Sequence, residues 1–291
     1  MPHWSLTLAY DGTAFHGWQV QPSLPTIQGT LAATLKLLTG EIVLPQGAGR
    51  TDTGVHALGQ VASFTLQANI PPTNLLRALN RALPPSIRIL RAEHAAPHFH
   101  ARHSAVSKTY EYRIFPRTPQ SRTQPDRICP PTLAPYVWDC PWPIDLTQAN
   151  RAASHILGTH DFLSFAASDP DQATRSAESK PPTVKTIHHS AFTLENDVIL
   201  YRVSGSGFLH HMVRNLVGTF VDAASARLDP DAIPHILAQK NRTAAGPTAP
   251  ARGLFLVSVV YPENYRPSTD KRFTDQSLSL PEPAHVQAVP Q

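Results

Sequence analysis

The sequence predicts an α+β fold built from two similarly ordered α/β halves with a cleft between them. Three observations carry that expectation. Residues 5–92 alternate strand, helix, strand, helix, strand, and residues 108–261 return to a similar rhythm. The 291-residue chain can bury a real core, and 41% hydrophobic against 16% charged residues matches a globular protein rather than a disordered one. Its 29 prolines exceed the usual ~5% of residues, which predicts long ordered loops and a flexible tail. The boundaries follow: residues 1–105 form an N-terminal half, 106–265 a C-terminal half, and 266–291 a disordered tail.

Ser5 to Tyr10 alternates as a half-buried strand and turns at Asp11-Gly12. Thr26 can cap a helix whose inward face is Ile27, Leu31, Thr34, Leu35 and Leu38, closed by Gly40. Gln60 to Leu66 reads as the next strand, Pro71-Pro72 opens a helix to about Leu83, and Ile87 to Ala92 is a third strand. Lys108 to Phe115 starts the second half as a strand with Tyr110, Tyr112 and Ile114 on one face. Pro116 to Pro143 is expected to be a long ordered loop, and Asp145 to Leu157 a helix ended by Gly158. Lys185–Leu194 and Val198–Ser204 form a hairpin around Asn196-Asp197. A long helix over Phe208–Arg227, a shorter one over Pro230–Lys240 and a closing strand over Leu254–Tyr261 complete the expected order.

Composition narrows the function. The formal charge is +4, and arginines far outnumber lysines. Arginine's planar fork suits phosphate contact and base stacking, so the bias fits an RNA partner, although GC-rich codon usage produces the same bias. Cys129 and Cys140 are the only cysteines, which excludes a disulfide framework or a four-cysteine zinc site. The N-terminus lacks the pattern of a signal peptide and no apolar run is long enough to span a membrane, so a cytoplasmic location is expected. Neither a P-loop nor a dinucleotide-binding glycine pattern occurs, so no nucleotide cofactor is expected.

The most informative stretch is Arg50-Thr51-Asp52-Thr53-Gly54-Val55-His56, preceded by Gly47-Ala48-Gly49. It sets one carboxylate, Asp52, beside a guanidinium, Arg50, in a glycine-flanked turn. Such a carboxylate, kept ionised by a nearby cation, is what covalent or base catalysis needs; the plainer reading is a surface turn with a local ion pair. His56 can act as a base or orient the turn. Tyr110 is either a core tyrosine or an aromatic platform for an unstacked base. Arg214, in an apolar stretch, either snorkels to solvent or is buried against a carboxylate, with Asp52 as a candidate partner from the other half. His210 and His211, read as adjacent helical residues, diverge by about 100°, which predicts packing rather than a shared site or a metal. His94, His98, His100 and His103 lie near Arg102, and phosphate contact shared with Arg102 is the expectation for them.

Six segments taken in order resemble the tRNA pseudouridine synthase A family: Tyr10 to Gln19, Gly47 to His56, Phe99 to Arg102, Lys108 to Arg113, Phe208 to Gly218 and Ala251 to Leu256. They span nearly the whole chain up to about Tyr265. The resemblance implies a pseudouridine synthase fold, with two halves sharing a mostly antiparallel central sheet and a basic cleft. It implies isomerisation of uridine to pseudouridine at positions 38, 39 and 40 of the tRNA anticodon stem-loop, without metal or cofactor, by a homodimer. Asp52 corresponds to the catalytic aspartate and Tyr110 to the substrate-binding aromatic. Arg50 and Arg214 correspond to the partners that fix the carboxylate. Apart from the resemblance, His56 and Arg102 are expected as further substrate contacts. Cys129–Trp142 and Asp169–Pro182 depart from the family pattern. The alternatives are a tRNA-binding or RNA-folding module with a vestigial catalytic set, and a carboxylate-dependent nucleoside hydrolase.

Overall fold

In the computed structural model, which describes residues 1–117, 127–167 and 182–265, β1 (His3–Tyr10) alternates strictly between the core and the opposite face. Trp4, Leu6, Leu8 and Tyr10 point inward and are almost wholly buried, each removal from water worth roughly 1.5–3 kcal/mol. The partners of β1 are β3 (His56–Thr65) and β4 (Ile87–His94), both antiparallel. A two-residue strand, β2 (Gln46–Gly47), adds to β3 just ahead of the Asp52 turn.

The second half of the chain supplies β5 (Ser107–Pro116), β6 (Trp138–Cys140), β7 (Gly158–Asp161), β8 (Val184–Glu195), β9 (Val198–Gly205) and β10 (Leu254–Val260). All join one ten-stranded sheet whose main path runs β4-β1-β3-β10-β5-β9-β8-β7. Every neighbouring pair on that path is antiparallel except β10 with β3. Strand β10 therefore stitches the N-terminal strands to the C-terminal ones, with Phe255 opposite His56 and Leu256 opposite both Ala57 and Tyr110. This seam brings the residue that follows the Asp52 turn within one strand of Tyr110.

Helix ends follow local chemistry where the sequence states it. Helix α1 (Ile27–Thr39) starts at Thr26, whose hydroxyl accepts from the Gly29 N–H, and stops at Gly40 with φ 76°. Helix α2 (Pro72–Ala82) opens on proline, and α3 (Leu146–Ser154) is capped by Asp145, which accepts from the N–H groups of Thr147 and Gln148. It ends at Ser154, four residues before Gly158, because Gly158 with φ 92° already begins β7. The hairpin turn holds Asn196 and Asp197 at φ 45° and 69°, the left-handed pair that a tight two-residue loop requires.

Two expectations are corrected. The 116–143 segment is not a plain loop: its described part holds a short 3-10 helix over Ala134–Tyr136 and strand β6. Strand β10 pairs with β5 only as far as Tyr112, and β6 takes up Ile114 to Pro116 in parallel. The long helix expected from Phe208 begins only at Met212 as α4 (Met212–Ala224), and a 3-10 turn at Pro230–Ala232 leads into α5 (Ile233–Gln239). His211 stands at φ 58°, so the chain between β9 and α4 turns through a left-handed residue instead of continuing a helix. The expected tail 266–291, nearly all of the Asp169–Pro182 segment and residues 118–126 lie outside the described residues. No helix among the described residues is long and apolar enough to cross a membrane.

Candidate active site

The turn that carries Asp52 is held from beneath by the first segment of the chain. Thr51 shares a hydrogen bond with the buried Tyr10 hydroxyl at 2.9 Å, and its carbonyl accepts from the Trp18 N–H at 3.0 Å. Gln60, fully buried in β3, donates to the Gly49 carbonyl at 2.7 Å and accepts from the Gly49 N–H at 3.3 Å. Two glycines make this fit possible. A β-carbon on Gly12 would stand 2.0 Å from the Val55 carbonyl oxygen, and one on Gly17 (φ 83°) 2.5 Å from that of Thr51. Burial pushes the Tyr10 phenol up to about 12, so it stays protonated as a fixed strut.

Three groups converge on the Asp52 carboxylate. Arg214 donates to Oδ2 at 2.8 Å, and its Nε–H donates to the Ala249 carbonyl at 2.8 Å. His211 Nε2 lies 3.3 Å from Oδ2, and His210 Nε2 lies 3.6 Å from Oδ1. The two imidazoles lie against each other, tilted by 33°, with centroids 4.0 Å apart. This corrects the helical reading of the histidines. Because α4 starts at Met212 and His211 is left-handed, adjacent side chains meet instead of diverging. Arg214 also changes the expected division of labour between the arginines. Arg50 is exposed and makes contacts of its own, but the described ion pairs of Asp52 run to Arg214, His210 and His211.

Tyr110 projects from the middle of β5 to the same place. Its hydroxyl would lie 3.3 Å from a β-carbon on Gly49, and Phe208 packs edge-on against its ring at 5.0 Å. Burial first, then the nearby Tyr10 and Asp52, push the phenol well above its ordinary value. The ring is buried, at 7% exposure, and among the described residues no group hydrogen-bonds its hydroxyl. Phe208 was not foreseen in this position, and neither was Gln60. A fully buried glutamine inside an apolar strand run was the available signal for Gln60.

His56 is placed differently from a substrate contact. It is 1% exposed, its Nδ1 accepts from the Gly12 N–H at 3.1 Å, and Nε2 lies 3.2 Å from the Arg252 carbonyl. Its ring stacks on Phe255 at 4.6 Å. Nδ1 also lies 3.2 Å from the Asp11 carboxylate. The Gly12 contact favours the Nε2–H tautomer, and together these contacts make His56 a tie between the turn, β10 and the Ala251–Gly253 segment. Burial lowers its basicity, as it does that of His211. A depressed folded-state value makes the unfolded chain bind more protons, so stability is complete above the unfolded value of ~6.5 and is lost as pH falls below it. Thermal unfolding followed from pH 7 downward is expected to show this loss, at no more than about 1.4 kcal/mol per pH unit for each histidine. His56→Gln is expected to flatten that dependence.

Arg102 is exposed, in a basic group with Lys108 and Lys185. Half-buried Lys108 is lowered to about 8, first by burial and then by the repulsion of Arg102 and Lys185. His100, which feels the charge of Arg102, lies against His103 with tilted rings 4.3 Å apart between centroids. Cations forced together in this way favour an anion between them.

Known proteins match the chain over most of its length. A family model described as tRNA pseudouridine synthase matches residues 7–104 and 152–262. A tRNA pseudouridine synthase A from Solibacter usitatus is 48% identical over 255 residues, covering 87% of this chain and 97% of that protein. One from Moorella thermoacetica is 45% identical over 263 residues, covering 90% and 100%. One from Caldicellulosiruptor bescii is 41% identical over 256 residues, covering 88% and 98%.

Proposed function

The chain belongs to the tRNA pseudouridine synthase A family and is an isomerase that converts uridine to pseudouridine in tRNA; from this premise we propose that it acts at uridines 38, 39 and 40 of the anticodon stem-loop, with Asp52 as the reacting carboxylate. The observation that carries the proposal is Asp52 itself. It is a single carboxylate on a braced turn, bonded to Arg214 at 2.8 Å, with the buried phenol of Tyr110 near enough to feel its charge.

The reaction must break the N1–C1′ bond, turn the base, join C5 to C1′ and release the C5 proton. Asp52 can attack C1′, attack C6, or take the 2′ proton; each route uses one carboxylate. The target nucleotide is unstacked to reach the site, and water is kept from the detached sugar. Tyr110 stacks on the uracil. Burial raises its pKa and so keeps the phenol protonated, which makes it a hydrogen-bond donor and not a standing base for C5. Arg214 orients Asp52, and Arg50, exposed beside the turn, helps hold the displaced nucleotide. Arg102, Lys108 and Lys185 contact backbone phosphates, where neutralised charge supplies affinity. The division into halves 1–105 and 106–265 around a basic cleft, and homodimeric assembly, belong to the same proposal.

Tritium release from tRNA labelled at uridine C5 tests it. Tyr110→Phe is expected to retain tRNA binding while lowering the rate, because the ring remains and the hydroxyl is lost. Tyr110→Ala is expected to lose both binding and about 3–5 kcal/mol of stability through the cavity it opens. Free uracil among the products would instead indicate a hydrolase.

A further inference from the structure

We propose that Asp52, His210 and His211 together form a binding site for a divalent transition metal ion of the zinc class, and that such an ion reversibly inhibits the isomerase by occupying its reacting carboxylate. Each residue offers one ligand atom, and the three lie within 4.8 Å of one another. Tetrahedral zinc with bonds of about 2.0–2.1 Å to nitrogen and oxygen sets its ligands about 3.3–3.5 Å apart. His210 Nε2 lies 3.6 Å from Oδ1 and His211 Nε2 lies 3.3 Å from Oδ2, so each imidazole stands about one tetrahedral edge from an oxygen of the same carboxylate, and a small turn of that carboxylate brings one oxygen between them.

The arrangement is also reachable. The side chains of Asp52, His210 and His211 are each between 20% and 31% exposed. Two imidazoles with one carboxylate suit zinc, cobalt or nickel better than magnesium or calcium, which favour oxygen-only shells. Arg214 bonds Oδ2 while Oδ1 stays turned towards His210, so a metal-bound carboxylate would keep a hydrogen-bonded outer partner. The charge of Arg214 also opposes a cation, which fits a reversible inhibitor rather than a resident cofactor. Binding requires only this geometry; the inhibition rests on the proposed role of Asp52.

The test is a calorimetric titration of the full-length protein with zinc chloride, with magnesium chloride as the counter-probe. One zinc ion is expected to bind at this site, magnesium is not, and the zinc is expected to compete with anticodon stem-loop RNA and be removed by a chelator. His210→Gln and His211→Gln are each expected to weaken zinc binding by roughly tenfold or more. A second measurement needs no substitution. Diethyl pyrocarbonate should modify His210 and His211 more slowly in saturating zinc, while exposed His235 on α5 reacts as before. Equal zinc affinity in wild type and both variants, or unprotected His210 and His211, would overturn the site. Zinc bound at these residues without slowing the isomerase would overturn the inhibition, and with it the assigned role of Asp52.

Discussion

Asp52→Asn is expected to abolish pseudouridine formation while leaving the fold and tRNA binding in place. The amide reproduces the shape of the carboxylate and can still accept from Arg214, so the turn braced by Tyr10, Trp18 and Gln60 has no reason to move. It can neither attack carbon nor take a proton. Loss of such a group costs on the order of 10⁴–10⁶ in kcat. Single-turnover tritium release measures the chemical step, filter binding the affinity, and thermal unfolding the fold. A variant that retains more than roughly one per cent of the rate would remove Asp52 from the mechanism. Lost affinity or stability in step with the rate would make it a structural residue.

Arg214→Lys and Arg214→Gln are expected to give the second largest loss. The guanidinium bonds the Asp52 carboxylate with one arm and the Ala249 carbonyl with another, and the Arg214 carbonyl accepts from the Ala249 N–H at 3.1 Å. Lysine keeps the charge but not the planar fork, so it cannot serve both acceptors in fixed directions. A misplacement of the carboxylate by about 1 Å costs on the order of a hundredfold in rate, which is the expected effect of the lysine variant. Glutamine removes the charge as well and should fall further. Both groups keep some contact with water, so the stability lost should be about 1–3 kcal/mol, below the figure for a fully buried pair. A lysine variant with the wild-type rate would show that orientation by Arg214 is not needed.

Much of the frame was legible because it is written in local signals. Thr26 and Gly40 mark the ends of α1, Asn196-Asp197 marks the hairpin turn, and the strict alternation of β1 marks its buried face. The errors came where tertiary contacts decide. Phe208, His211 and Asn215 recur at helical spacing, so periodicity extends the helix backwards through a left-handed turn that no glycine announces. Strand β6 has only three residues among prolines, and it exists because β5 outruns β10 and leaves an edge to be paired. At the site, the segments holding Asp52, Tyr110 and Arg214 could be named from the sequence. Which cation bonds Asp52 could not, because Arg50 is nearer in the chain and Arg214 nearer in space. His56 was equally ambiguous until both of its ring nitrogens were seen to be engaged inside the fold.

The central claim is that one carboxylate, Asp52, isomerises uridines of the anticodon arm. Its most direct test incubates unmodified tRNA carrying uridines at 38, 39 and 40 with the purified wild-type protein and with Asp52→Asn, then maps pseudouridine at nucleotide resolution. The expected result is pseudouridine at those positions with wild type and none with the variant. Pseudouridine formed equally by both proteins, or formed by wild type only outside the anticodon arm, would contradict it.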